Sequence, residues 1–207
     1  MADELIMING LPGVGKTTVV ASLMSEISAP FLSKDVLKEV LARKHPGMPS
    51  SRLGVLASEL MWSRASGQRG VVIVESWWYR TRDAQYAPDG LLRSGADRAV
   101  EVWCTAPVDV VRERYRRCSR SALHHDSERL ATDWEDWARN AEPLNLTPVI
   151  TLSTMAPVEA PAPISVVRET LPTSSVFRSR AARDRVGLVD RGVRRGDGGQ
   201  VPGGLSS

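Results

Sequence analysis

The sequence predicts an α/β domain built on a parallel sheet, and three observations carry that prediction. Apolar runs of strand length alternate with apolar patterns of helical spacing along most of the chain. A short apolar run, Glu4-Leu5-Ile6-Met7-Ile8-Asn9, leads directly into the glycine-rich segment Gly10-Leu11-Pro12-Gly13-Val14-Gly15-Lys16-Thr17. A helical pattern follows at once, with Val19, Val20, Leu23, Met24 and Ile27 at helical spacing.

The elements follow in order. The first strand spans 4–9 and its helix 16–28; a short second strand ends near Phe31-Leu32-Ser33. Helical patterns occupy 35–43 and 51–67. Gly70-Val71-Val72-Ile73-Val74-Glu75 is the clearest strand, with its β-branched residues running into an acid. A helix interrupted at Pro88-Asp89-Gly90 fills 80–95, and Ala99-Val100-Glu101-Val102-Trp103-Cys104 is the fourth strand. Pro107 suits the first position of the next helix, Val108 to Cys118, because a proline there sacrifices no helical hydrogen bond. A polar loop covers 119–126, and Ser127 to Asn140 is helical with Leu130, Trp134 and Trp137 on one stripe. Val149-Ile150-Thr151-Leu152 is the fifth strand, and Val158 to Leu171 holds a last, proline-broken helix.

After Pro172 the apolar periodicity fades into Gly, Ser, Arg and Pro, so the expected organisation is a domain over 1–171 and a basic, disordered tail over 172–207. The tail holds seven Arg against three Asp, whereas residues 1–171 carry 20 basic and 21 acidic groups. The net charge of +3 is therefore a property of the tail, and the domain lacks the basic face that tracking a nucleic-acid backbone needs. No run is long and apolar enough for a membrane span, and no signal peptide is expected. Two cysteines, Cys104 and Cys118, are too few for a disulfide framework and read as ordinary thiols; a cytoplasmic location fits.

Gly10 to Thr17 is a complete G-x-x-x-x-G-K-[ST] segment, a P-loop. Glycines let consecutive N–H groups converge on one concavity, and the N-terminus of the following helix adds its positive end to the same anion site. Lys16 is expected against β/γ-phosphates and the Thr17 hydroxyl on Mg²⁺. The expected nucleotide-binding set is Gly10, Pro12, Gly13, Val14, Gly15, Lys16, Thr17 and Thr18.

Five further features stand at strand ends, in helices and in loops. Asp35 follows the second strand, at the sheet edge where open α/β folds bind ligands; it fits either a base that takes a proton from a hydroxyl or a helix cap. Glu75 ends the third strand, where an acid can hold Mg²⁺ or its water, or be there by chance. Trp77-Trp78-Tyr79 fits a stacking pocket wall and a core equally well. Among the arginines from 112 to 120, Arg116, Arg117 and Arg120 adjoin the polar loop and are the lid candidates, with Arg117 on the nucleotide; Arg112 and Arg114 fit a solvated face. His124-His125 lacks metal-ligand spacing and reads as lid or substrate contacts.

The combination resembles the P-loop kinases of the AAA-33, zeta-toxin and chloramphenicol-phosphotransferase-like group over roughly residues 1–170. The resemblance rests on Gly10–Thr17, on Ser33-Lys34-Asp35 with Leu37-Lys38-Glu39, on Val72–Glu75, on Glu101–Pro107 leading into Arg112–Arg117, and on Val149–Pro157. It implies a three-layer P-loop NTPase fold of nucleoside-kinase type, with a parallel five-stranded sheet and an Arg-rich lid over ATP. It also implies Lys16 at the phosphates, Thr17 at the metal, and Asp35 as the acid that acts on a hydroxyl acceptor. Two departures accompany it: 119–128 lacks a second Arg-x-x-Arg run and carries the histidines instead, and the tail has no counterpart.

The resulting expectation is an ATP·Mg²⁺-dependent kinase that phosphorylates a hydroxyl of a small molecule of antibiotic, sugar or nucleoside type, with Lys16, Asp35, Arg116 and Arg120 as catalytic residues and Thr17 and Glu75 as metal ligands. A polynucleotide 5′-hydroxyl kinase and a non-catalytic ATP-binding module are the alternatives. The sequence lacks the Asn-Lys-x-Asp segment of a GTPase and the signature segment of an ABC-type ATPase.

Overall fold

Five apolar runs form one parallel sheet: β1 (Glu4–Asn9), β2 (Phe31–Ser33), β3 (Val71–Glu75), β4 (Arg98–Thr105) and β5 (Val149–Ser153). The computed structural model describes residues 3–118, 121–155 and 162–171. The strand order is β2-β3-β1-β4-β5. β1 therefore lies in the middle, with β3 on one side and β4 on the other. The chain reverses its direction of winding beside β1, so the loop after β1 opens into the crevice where ligands bind in such sheets.

Period-two alternation divides the strands between two cores. Leu5 and Met7 of β1, Val72 and Val74 of β3 and Ala99 of β4 face one core, with Leu37, Ala57, Met61 and Leu91 from the covering helices. Ile6, Ile8, Ile73, Val100, Val102 and Cys104 face the other, with Val19, Val20, Leu23, Val111, Tyr115, Trp134 and Val167. The first layer holds α2 (Lys34–Lys44), α3 (Ser50–Ser66) and α5 (Ala87–Ser94); the second holds α1 (Lys16–Glu26), α6 (Val108–Arg117), α8 (Trp134–Asn140) and α9 (Ala162–Thr170). Each fully buried aliphatic side chain contributes about 1.5–3 kcal/mol, which makes β1, buried on both faces, the anchor of the domain.

Several local expectations change. Pro88-Asp89-Gly90 does not interrupt a helix; it forms the first turn of α5, where proline is tolerated, and the break falls between α4 (Arg80–Asp83) and Ala87. Gly90 is required there by close packing, since a Cβ would lie 2.2 Å from the Trp62 indole nitrogen. The helix expected over 127–140 is two, α7 (Asp126–Thr132) and α8, separated at Asp133, which stays in the right-handed helical region at φ −102°, ψ −19°. Pro107 is the N-cap of α6 rather than its first residue. Met24 is 44% exposed and lies off the buried stripe of α1. The segment 156–161 and the tail from 172 lie outside the described residues, as does Arg120. No helix among the described residues is long and apolar enough to cross a membrane.

Candidate active site

The P-loop joins β1 to α1, and its glycines are needed for conformation and for space. Gly10, Gly13 and Gly15 have φ of +143°, +84° and +104°. A Cβ on Gly10 would lie 2.7 Å from the Cys104 carbonyl oxygen, and one on Gly13 would lie 2.8 Å from the Tyr115 backbone nitrogen. The loop thus winds between the ends of β4 and α6 with no room for a side chain at Gly10 or Gly13. Gly13→Ala is expected to lower stability by about 1–3 kcal/mol, from the left-handed backbone alone, and to weaken nucleotide binding; urea unfolding and nucleotide titration measure both.

Lys16 begins α1 and is nearly buried, with Nζ donating to the carbonyls of Gly10 (2.9 Å) and Leu11 (3.1 Å). The ammonium is held at the mouth of its own loop. Thr17 and Thr18 follow on the exposed first turn, and the Thr18 N–H donates to the Gly15 carbonyl (3.1 Å). The loop is clamped from outside. The Thr154 hydroxyl donates to the Val14 carbonyl, and Arg114 reaches both Val14 O (3.5 Å) and Thr154 O (3.2 Å). Arg114 therefore does not sit on a solvated face: it ties α6 and the end of β5 to the P-loop.

Beneath the loop lies a buried polar network. Asn9 is fully buried; its Oδ1 accepts from Gly10 N (2.8 Å) and Trp78 N (3.0 Å), and its Nδ2 donates to Trp78 O (3.3 Å) and Glu101 Oε1 (2.7 Å). Glu101 also accepts from the backbone of Leu144 (2.9 Å) and Asn145 (3.1 Å). These bonds satisfy the buried polar atoms and fix the end of β1, the segment after β3 and the middle of β4 against one another. In the sequence this network shows itself only as an amide closing β1 and an acid between Val100 and Val102.

A cavity of about 690 Å³ opens in front of the P-loop. Pro12 and Lys16 line one end; Asp35, Lys34 and Lys38 of α2, Ser50, Gly54 and Glu59 of α3, Ser76 and Trp77 after β3, and Asp89 and Arg93 of α5 line the rest, with His124, Arg129 and Trp137 closing one wall. Its size matches small-molecule sites. Asp35 is in the first turn of α2, its carboxylate half exposed into this cavity. Ser33 is the N-cap of that helix and makes no side-chain capping bond. Its hydroxyl donates instead to Glu75 Oε2 (2.7 Å), which fixes the nearly buried Glu75 carboxylate at the end of β3.

Positive charge enters the cavity from elements the sequence did not single out. Burial lowers the Lys34 pKa, Arg82 and Arg129 push it the same way, and Asp83 and Asp35 oppose them. Three cations thus share one region with two carboxylates. Arg82 is paired with Asp83 (2.7 Å). The Arg129 guanidinium lies 5.8 Å from the Trp137 ring centre, a cation–π contact, and makes no ion pair among the described residues. Arg116 and Arg117 do not line this cavity. Both are exposed and paired with Glu113, whose pKa falls to about 2 because Arg116 hydrogen-bonds it and both guanidinium charges stabilise the anion.

The aromatic triplet divides. Trp78 is buried and stacked on Trp62, Tyr79 is buried with its hydroxyl donating to Asp136 (2.6 Å), and Trp77 lines the cavity among Tyr79, Trp103 and Trp137. The Trp77 indole N–H is the only buried side-chain polar atom without a partner among the described residues. Cys104 is buried, which pushes its pKa up to about 12 and keeps it a thiol. No cluster of three His, Cys, Asp or Glu that could hold a metal occurs among the described residues. Mg²⁺ does not require one in a nucleotide site, where one or two protein oxygens, substrate phosphates and waters complete its shell. The Thr17 hydroxyl and the Glu75 carboxylate are the donors suited to it here.

A parallel sheet in this order, with a P-loop after its central strand, is the three-layer fold of the P-loop kinases. A family model described as an AAA domain, AAA_33, matches residues 5–144. The chain belongs to the AAA_33 family. Among solved structures, a kinase candidate from Chloroflexus aurantiacus aligns with this AAA_33 chain at a TM-score of 0.62 and 25% identity, covering 81% of this chain and 98% of that one. The tunicamycin resistance protein of Deinococcus radiodurans aligns at 0.53 and 20% identity over 82% of this chain and 98% of its own. A gluconokinase from Sinorhizobium meliloti aligns at 0.50 and 17% identity over 92% and 98%. At these identities the last two share the fold with the AAA_33 chain. No curated protein matches it.

Proposed function

We propose that this AAA_33 chain is an ATP-dependent kinase that transfers the γ-phosphoryl group to a hydroxyl of a small molecule. The observation that carries the reading is that Lys16 of the P-loop and the Asp35 carboxylate line one cavity of about 690 Å³. Asp35 accepts the proton of the acceptor hydroxyl as its oxygen bonds to the γ-phosphorus and the bond to the ADP oxygen breaks. Lys16 stabilises charge on the β/γ-oxygens, and Arg129, unpaired with any described carboxylate and based on Trp137, takes the part first expected of Arg116. Mg²⁺, when bound beside Thr17 and Glu75, neutralises charge on the β- and γ-phosphates.

The lining also favours a small acceptor over a polynucleotide. Asp35, Glu59, Asp83 and Asp89 stand in the same cavity as the cations, and a run of phosphates would meet their charge. The C. aurantiacus and S. meliloti neighbours, a kinase candidate and a gluconokinase, are consistent with this class.

The test is an ATP-consumption screen over hydroxyl-bearing antibiotics, sugars, nucleosides and oligonucleotides. Acceptor-dependent turnover by the wild type is expected with a compound of the first three groups. Turnover only on an oligonucleotide, falling steeply with salt, supports the polynucleotide reading; ATP binding without turnover on any acceptor supports a non-catalytic module. In the same assay Arg129→Ala is expected to reduce turnover about 10²-fold or more, the scale for loss of one transition-state donor, while Arg116→Ala leaves it within about twofold. The reverse ranking returns the lid role to Arg116.

A further inference from the structure

His124 and His125 are neighbours in sequence but have opposite environments. His125 has φ 53°, caps α7, and turns its half-exposed ring toward Glu128. His124 ends a 3-10 turn, Ala122–His124, and its side chain is only 6% exposed. Its Nε2 lies 3.0 Å from Glu39 Oε1, and its Nδ1 lies 3.9 Å from Asp35 Oδ1. Asp35 and Glu39 are four residues apart on α2 and share one face, so a single imidazole spans two carboxylates one turn apart. The residue before it adds a second attachment. The Leu123 carbonyl accepts from the Ser50 hydroxyl (3.0 Å), whose oxygen in turn accepts from Lys38 Nζ (2.7 Å). The turn is thereby fastened to both α2 and α3, and Asp35, Lys38, Ser50 and His124 are all part of the cavity lining.

We infer that His124 is a positioning residue: its bond to Glu39 fastens the Ala122–His124 turn onto α2 and sets the acceptor-side wall of the cavity beside Asp35. The catalytic half of this inference rests on the kinase reading; the fastening does not. A histidine that only filled space would be replaced by phenylalanine without consequence. A histidine that acts through Glu39 would not, and glutamine, whose side-chain N–H₂ can reach the same oxygen, would substitute for it.

Amide hydrogen exchange on the full chain tests the fastening without any ligand. The His124 N–H is bonded to the Ser121 carbonyl (3.0 Å) and reports on the turn. In His124→Phe the amides of 122–125 are expected to exchange about tenfold faster, those of the P-loop to be unchanged, and His124→Gln to restore most of the protection. With the acceptor found in the screen, His124→Phe is expected to lower kcat/KM for that acceptor about tenfold and to leave KM for ATP unchanged, with rescue by His124→Gln. Wild-type exchange in His124→Phe overturns the inference, as does an acceptor kcat/KM equal to wild type, or loss of the same size in both variants. If exchange behaves as expected but no acceptor is phosphorylated by the wild type, the kinase reading fails and the fastening stands.

Discussion

Replacing Lys16 with alanine is expected to weaken ATP binding by about 10–100-fold and to remove measurable phosphoryl transfer, the largest effect of any single substitution in the chain. The affinity estimate follows from the loss of one charge-assisted contact to phosphate, about 1.5–3 kcal/mol. Transfer falls further because charge builds on the β/γ-oxygens as the bond to ADP breaks, and a contact that strengthens in the transition state is lost from the rate as well. The variant should fold. Among the described residues the ammonium donates only to the Gly10 and Leu11 carbonyls of its own loop, while the loop's shape is set by its glycines and by the Thr154 and Arg114 clamp on Val14. Calorimetric titration with ATP and a coupled ADP assay measure the two effects, and an unfolding midpoint near wild type separates them from loss of structure. Unchanged affinity together with unchanged rate would show that Gly10–Thr17 does not bind the nucleotide phosphates.

The parts of the fold that could be read in the sequence are those in which local pattern and burial agree. β1, β3 and β4 alternate between two cores and are apolar on both faces, so run length and β-branching identify them without knowledge of their partners. The P-loop is legible for the same reason: its glycine conformation and its Lys-Thr pair are local requirements. The arginines are different. On α6, Val111 and Tyr115 are buried and fix the helix against the core. Successive residues then point about 100° apart, so Arg114 turns to the P-loop while Arg116 and Arg117 turn to Glu113 and solvent. Composition shows an Arg-rich helix, but only packing shows which way each guanidinium faces. Arg129 escaped notice because it follows a helix start created by the left-handed residue His125 and is not flanked by other arginines. His124 and His125 read alike, as lid or substrate contacts, because a buried histidine and an exposed one look the same in sequence, and the carboxylate that distinguishes them, Glu39, is 85 residues away.

Asp35→Asn is the substitution that separates a base from a helix residue. As a base, Asp35 takes a proton that the acceptor hydroxyl must lose; asparagine keeps the size and polarity but cannot accept it, so transfer is expected to fall by about 10²–10⁴-fold. ATP affinity should stay close to wild type, because the nucleotide phosphates are expected on the P-loop and α1 rather than on α2. As a helix residue, Asp35 would matter through charge near the N-terminus of α2, worth about 0.3–1 kcal/mol, and asparagine would cost stability with no change in transfer. The N-cap position of α2 belongs to Ser33, whose hydroxyl is spent on Glu75, and Asp35 lies two residues further on, inside the helix. The Asp35 carboxylate is instead half exposed, in the cavity that also contains Lys16 and 3.9 Å from the imidazole of the buried His124. The substitution therefore lowers the rate alone under one role and the unfolding midpoint alone under the other. A rate loss of two orders of magnitude or more at nearly constant midpoint identifies the base, whereas wild-type transfer with a lowered midpoint confines Asp35 to supporting α2.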